Sequence, residues 1–195
     1  MSLPSVYNPK VKEKTVYRFF ERKMKTQYII FPNNMFLTFD LNLVTWNFNN
    51  EKRYKSYLHI VEFKASSAKK IKLCASISPE VNHCESLSNC CNTPKNIFCR
   101  FRLTHVKWLF HILDQLNEDN YENIKAVHYY NIKSNRDEIQ LIYKEADDQR
   151  KKYNMIFWDK GNKVLNLITS YRITNENTER LFERRRNDMR NTIII

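Results

Sequence analysis

Two short stretches decide how this sequence is read: Phe101-Arg102-Leu103-Thr104 and Tyr171-Arg172-Ile173-Thr174. Each runs aromatic, arginine, aliphatic, threonine, and each marks a point where a period-two pattern gives way to a helical one. Upstream of Thr174, strands are expected at 124–133, 138–145, 151–160 and 164–173, because aromatic and β-branched residues alternate there between turn-forming clusters. Those clusters are Ser134-Asn135-Arg136-Asp137, Asp147-Asp148-Gln149 and Lys160-Gly161-Asn162. A helix over 174–190 follows. Its acids come early (Glu176, Glu179, Glu183) and its bases late (Arg184, Arg185, Arg186, Arg190), as the helix dipole favours.

Upstream of Thr104 the same order is expected. Strands are placed at 28–31, 35–48, 54–64, 70–78 and 96–103, with Tyr57, His59, Val61 and Phe63 alternating against Leu58, Ile60, Glu62 and Lys64. Residues 79–95, with Pro79, Pro94 and a Ser/Asn/Cys-rich composition, form a long loop in this scheme. Thr104 suits an N-cap, and Val106, Leu109, Phe110, Leu113 and Leu116 fall at helical spacing over 104–118. The joints lie 70 residues apart, the length of one four-strand-plus-helix unit. The expected fold is therefore α+β: two ββββα repeats, antiparallel sheets with the helices packed together, and a basic leader in front. The divisions are 1–27 for the leader, 28–118 for the first unit and 119–195 for the second with its tail.

The leader carries Lys10, Lys12, Lys14, Arg18, Arg22, Lys23 and Lys25 against Glu13 and Glu21. Val16, Phe19, Phe20 and Met24 line one side of a short helix within it. Docking on the domain and service as a nucleic-acid arm both fit this pattern. At the other end, Ile193-Ile194-Ile195 is an apolar tail that invites burial against a partner chain, which points to homo-oligomers.

The whole chain of 195 residues has a formal net charge of +12 and an isoelectric point near 9.5. A field of that sign concentrates polyanions, so nucleic acid leads as partner. No stretch approaches the roughly 20 apolar residues of a membrane span, and no membrane partner is expected. The N-terminus lacks a secretory pattern, and five cysteines do not pair off completely; a nuclear or cytoplasmic location with reduced thiols is expected. One glycine in the whole sequence, Gly161, excludes P-loop and Rossmann phosphate cradles, which need glycine where backbone meets ligand. The abundance of Asn, Lys and Ile fits an A·T-rich genome, such as that of a large DNA virus.

The order of elements resembles the ββββα units of Whirly proteins, of PUR-repeat proteins and of the single-stranded-DNA-binding domain of a eukaryotic transcriptional coactivator. The resemblance covers roughly residues 34–190. It implies two joined units whose sheets bind single-stranded nucleic acid through stacking aromatics and basic residues. Because the likeness is one of topology, it carries over a surface and no particular residues.

Alternation supplies the candidates. Lys70, Lys72, Arg100 and Arg102 are expected on one side of their strands, opposite Ile71, Leu73, Phe101 and Leu103. In the second unit Trp158 and Lys160 share a face opposite Tyr153, Met155 and Phe157, and Lys144 and Arg172 lie opposite the apolar residues of their strands. Tyr129 and Lys133 share a parity and complete the set; Tyr130 has the other. Cations that follow phosphates and rings that stack bases are what single-strand binding requires.

His83, Cys84, Cys90 and Cys91, with Cys74 and Cys99 nearby, leave three readings open: a Zn²⁺ site, a loop of unpaired thiols, or a disulfide. The absence of any CxxC pair disfavours the first, and no metal or cofactor is expected. Asp40, Glu62, Glu138, Glu145 and Asp159 show no catalytic spacing, so no enzymatic activity is expected, although scattered carboxylates can converge in a fold. The expected function is a non-enzymatic, single-stranded nucleic-acid-binding protein of replication, transcription or RNA handling. The rival is a self-assembling viral structural or matrix protein cross-linked by thiols.

Overall fold

A computed structural model describes residues 3–8, 11–26, 28–30, 34–45, 51–64, 96–148, 150–173 and 176–195. Its elements are α1 (Glu13–Lys23), β1 (Tyr28–Ile30), β2 (Met35–Thr38), β3 (Leu43–Thr45), β4 (Lys52–Tyr54), α2 (Lys55–Val61), β5 (Glu62–Lys64), β6 (Asn96–Phe98), α3 (Arg100–Thr104), α4 (Val106–Asn117), β7 (Ile124–Asn131), β8 (Arg136–Lys144), β9 (Lys152–Asp159), β10 (Val164–Arg172), α5 (Glu176–Asn187) and β11 (Thr192–Ile193). Helices and strands mix in one α+β arrangement. No described helix is long and apolar enough to cross a membrane.

The period-two pattern of the second half produces what it implies. β7, β8, β9 and β10 form an antiparallel meander, each strand paired with the next. Its turns need left-handed backbone, and with glycine almost absent, asparagine takes two of those positions. Asn135 (φ 52°) serves the β7–β8 turn, and Gly161 (φ 77°), Asn162 (φ 51°) and Lys163 (φ 63°) serve the β9–β10 turn.

Strands of the first half join this sheet and do not form a matching meander among the described residues. The β1–β2 hairpin lies along β10, with β2 parallel to it, and β11 closes the far edge against β7; the order is β1-β2-β10-β9-β8-β7-β11. The Thr38 hydroxyl donates to the Leu165 carbonyl at 2.8 Å across the parallel junction.

Two expected strands are helical. Residues 55–61 form α2, burying Tyr57, Leu58, Ile60 and Val61 while His59 stays exposed. Apolar residues at i, i+1, i+3 and i+4 fit one helix face as well as they fit a buried strand, and burial on one face decides for the helix. The expected strand over 96–103 stops at Phe98, and α3 begins at Arg100. Leu103 and Val106, both fully buried, continue the three-and-four spacing of α4 backward, so the helical period starts earlier than expected. Thr104 accordingly lies inside α3, buried, and is not an N-cap. The expected strand over 35–48 is broken at 39–42 into β2 and β3. The expected strand over 70–78, the loop over 79–95 and the His83/Cys84/Cys90/Cys91 cluster lie outside the described residues.

Two cores sandwich the sheet. On one face Val16 and Phe20 of α1, Tyr57 of α2 and Phe110 and Leu113 of α4 pack with Leu141, Met155, Phe157, Leu165 and Leu167. On the other, Phe182 of α5 meets Val127, Tyr129, Ile142 and Ile173. Burying one such phenylalanine stabilises the fold by about 2–3 kcal/mol.

The described part of the leader is docked. The Leu3 amide donates to the Glu145 carboxylate at 3.0 Å, the Trp108 indole to the Pro4 carbonyl at 2.8 Å, and the Tyr7 amide to the Thr104 carbonyl at 3.0 Å. Arg53, almost fully buried, grips Glu13 of α1 through two hydrogen bonds of 3.0 and 2.7 Å, with its guanidinium 4.3 Å from the Tyr17 ring centroid. The apolar tail is docked too. Ile194 donates to the Ala126 carbonyl and Ile195 accepts from the Ala126 amide, at 3.0 and 3.2 Å, and both side chains pack on the larger core. Ile193, in contrast, is exposed, so the tail is only partly buried within its own chain.

Candidate nucleic-acid interface

α5 divides its face of the sheet in two. The half over β7 and β8 is covered, and the half over β9 and β10 leaves Ile156, Trp158, Asn166, Thr169 and Tyr171 partly exposed. The register sets these residues in two rows: Trp158 opposite Asn166, Ile156 opposite Thr169, and Asn154 opposite Tyr171.

A β-bulge decides the second row. Leu165 and Leu167 point into the larger core, but the register of β10 shifts between Leu167 and Thr169. One extra residue reverses every side chain beyond it. Tyr171 therefore emerges on the α5 face, and Arg172, expected there from strict alternation, turns to the other. Its guanidinium lies 5.8 Å from the Trp108 ring centroid and donates to the Arg150 carbonyl at 3.2 Å. Burial lowers the Arg172 pKa from its ordinary value.

Cations stand at both ends of the half-open face. The Arg136 guanidinium and the Lys160 ammonium lie 5.5 and 5.2 Å from the Trp158 ring centroid. Lys163 and Lys133 are exposed in the two turns at the same end of the sheet. At the other end Arg102 of α3 sits 4.9 Å from the Tyr171 ring centroid. Cation–π contacts of this kind hold each ring at a fixed tilt at modest energy, about 0.5–1 kcal/mol for partly exposed pairs.

Beneath α5, a buried polar network fixes the platform. Glu138 accepts from the Tyr129 hydroxyl (2.6 Å), the Asn131 amide (2.8 Å), the Ser134 hydroxyl (2.9 Å) and Arg136 Nε (2.9 Å). Burial by itself raises a carboxyl pKa, but these four donors outweigh it and hold Glu138 below its ordinary value. Arg185 of α5 lies 3.7 Å from the Tyr129 ring centroid and donates to the Gln140 carbonyl oxygen; the Gln140 amide in turn donates to Asn154 at 2.7 Å.

The candidates chosen by alternation thus divide. Trp158 and Lys160 stand together as expected, and Arg102 joins them across the face through Tyr171, from a helix and not a strand. Lys133 lies in a turn at the Trp158 end. Tyr129 is on the expected face but 5 % exposed, covered by Phe182 and Arg185, so it offers no ring for stacking. Lys144 is also on that face, held with Lys152 by Glu179 at 2.6 and 3.0 Å. Burial raises the Glu179 pKa, but the two lysines outweigh it and hold it below its ordinary value. Arg100 falls in α3, where strand alternation does not apply, and Lys70 and Lys72 lie outside the described residues. Alternation does not find Arg136 and Tyr171: the first falls in an expected turn, and the bulge hides the second.

Four of the five carboxylates named above have separate partners, and the side chain of Glu62 lies outside the described residues. Asp40 faces Lys55 at 3.5 Å, Glu145 faces Lys151 at 2.9 Å, and Asp159 faces His128 at 3.5 Å. Glu138 serves the network on the α5 face. Among the described residues no group of three or more His, Cys, Asp or Glu side chains could hold a metal ion. Cys99 is a buried thiol.

The chain matches no protein family, no curated protein and no solved structure.

Proposed function

We propose that the protein binds single-stranded nucleic acid along the half-open β9–β10 face, without catalysing a reaction. The observation that carries this proposal is the pairing of partly exposed rings with cations: Trp158 with Arg136 and Lys160, and Tyr171 with Arg102. Asn154 is opposite Tyr171 and four residues from Trp158, so the two rings stand about 14 Å apart at a strand rise of about 3.4 Å per residue. That distance suits a short run of two or three extended nucleotides. A base stacking on Trp158 would displace the Lys160 ammonium toward a phosphate, so the same residues serve ring and backbone. The meander followed by α5 supplies one ββββα unit of the kind the Whirly-type resemblance implies. Roles in replication, transcription or RNA handling are part of the proposal.

The test is fluorescence anisotropy with labelled single-stranded DNA, RNA and duplex DNA at two salt concentrations. Trp158→Ala is expected to weaken single-strand binding about 5- to 150-fold, the equivalent of 1–3 kcal/mol for one stacked base. Affinity should plateau once the oligonucleotide exceeds a few nucleotides. Single strands bound equally well by wild type and Trp158→Ala would refute the proposal.

Self-association is a second, separate proposal, supported by β11, whose outer edge has no partner strand among the described residues and whose Ile193 is exposed. Light scattering should show a larger mass for wild type than for Ile193→Lys. Equal masses would refute it.

A further inference from the structure

Across the sheet from α5, the outer surface of α1 presents a row of cations. Lys14, Arg18 and Arg22 are exposed at i, i+4 and i+8, one charge per roughly 6 Å of helix axis, and Lys25 is exposed in the turn just beyond the helix. Among the described residues, none of the four forms an ion pair with a carboxylate. Some exposed cations elsewhere are neutralised locally: Arg180 by Glu176, Arg190 by Asp188 and Arg150 by Asp148. The acids of α1 are drawn aside, since Glu13 turns inward onto Arg53 and Glu21 interacts with Tyr17 at the margin of the row. Part of the chain's positive charge is thus left uncompensated along a helix held from beneath by Val16, Tyr17 and Phe20.

From this we infer that the outer face of α1 binds the phosphate backbone of duplex nucleic acid, at a surface separate from the β9–β10 face. Charge complementarity identifies the occupant as a polyanion. Among the described residues, the ring within the row's reach is Phe19, which packs edge-on against Tyr7 and Phe110 with Arg22 beside it, so they offer no open stacking platform there. A surface that contacts only phosphates suits a polymer whose bases are already stacked with one another. An anionic membrane is the poorer fit, because interfacial helices insert an apolar face and the apolar face of α1 is buried in the core. With duplex on one side of the sheet and a single strand on the other, one molecule would hold both at once, as at a junction between paired and unpaired segments.

The experiment compares wild type, a combined Lys14→Gln, Arg18→Gln, Arg22→Gln and Lys25→Gln variant, and Trp158→Ala, in full-length protein. Each is titrated with labelled duplex, labelled single strand and phosphatidylserine vesicles between 50 and 200 mM salt. Four phosphate contacts predict that the combined variant's log–log salt slope for duplex is shallower by about 3–4, roughly a 100-fold difference in salt-induced loss over that range. Trp158→Ala should keep wild-type duplex binding. The inference is overturned by an unchanged duplex slope in the combined variant. It is also overturned if that variant loses vesicle binding while duplex binding is unaffected. Loss or retention of single-strand binding in Trp158→Ala reports on the β9–β10 face alone, so the two proposals fail separately.

Discussion

Replacing Glu138 by glutamine probes how much the buried network beneath α5 stabilises the fold. The wild-type carboxylate divides its work evenly: Oε2 accepts from the Tyr129 hydroxyl and Asn131, and Oε1 accepts from the Ser134 hydroxyl and Arg136. Glutamine keeps one oxygen and presents an NH₂ in place of the other. With the NH₂ toward Ser134, the hydroxyl turns to accept, but Arg136 Nε is orphaned. With the NH₂ toward Tyr129, that hydroxyl turns to accept, but Asn131 must either lose its partner or flip. Flipping breaks the bond that its own oxygen accepts from the Lys133 amide at 3.1 Å. Every orientation therefore loses at least one hydrogen bond and the charge assistance of the rest, a cost of about 2–3 kcal/mol. For a chain of this length the melting temperature should fall by about 4–12 °C.

The pH dependence has a definite sign. The folded carboxyl lies below its ordinary value of 4.5, so its contribution is fully present above that value and is lost as pH falls through the folded pKa. Wild type should lose this stability in acid, and the variant should lack that component of the loss. The substitution removes one negative charge beside Arg136, so single-strand affinity should be retained or increase while stability falls. Urea denaturation at pH 7 and at pH 3, with an anisotropy titration alongside, measures all three quantities. A change under about 0.5 kcal/mol at pH 7 would refute the assignment of Glu138 as the network's acceptor.

Phe182→Ala should destabilise the fold by about 3–5 kcal/mol, because the smaller core has few other residues to close the cavity. Hydrogen exchange should show α5 losing protection first. Arg53→Ala leaves Glu13 without its buried partner and should cost about 3–5 kcal/mol in chemical denaturation; the double variant Arg53→Met with Glu13→Gln should recover much of it.

The meander was legible because both determinants of a strand agreed there. Leu141, Met155 and Leu167 each follow a polar residue (Gln140, Asn154, Asn166) in runs rich in β-branched and aromatic residues, and the turns carry Asn and Gly at left-handed positions. In the first half the signals conflicted. Tyr57, Leu58, Ile60 and Val61 form an apolar run too dense for period two to be distinguished from period 3.6, and packing against neighbours resolved it as a helix. The repeated joint misled for a related reason. Arg102 and Arg172 match in type, yet one sits in a helix and the other beyond a bulge. Of the site, Trp158 and Lys160 followed directly from alternation. Tyr171 could not, because a bulge leaves no mark in a stretch such as Leu167-Ile168-Thr169 where every residue suits a strand. The burial of Tyr129 depends on where α5 crosses the sheet, and that is a property of the assembled layers.

The parallel contact between β2 and β10 joins residues 127 positions apart, Thr38 to Leu165, and the Leu3–Glu145 bond spans 142. At about 5–20 residues per second on the ribosome, Thr38 waits roughly 6–25 s after its own synthesis before Leu165 exists. The meander is local and can close as it emerges, whereas the amino-terminal hairpin has no edge to join until the meander is nearly complete. The order of assembly therefore runs opposite to the order of synthesis. For those seconds the nascent chain exposes α1 and the β1–β2 hairpin without the sheet that will cover their apolar sides, which makes this interval the one in which a chaperone would matter most.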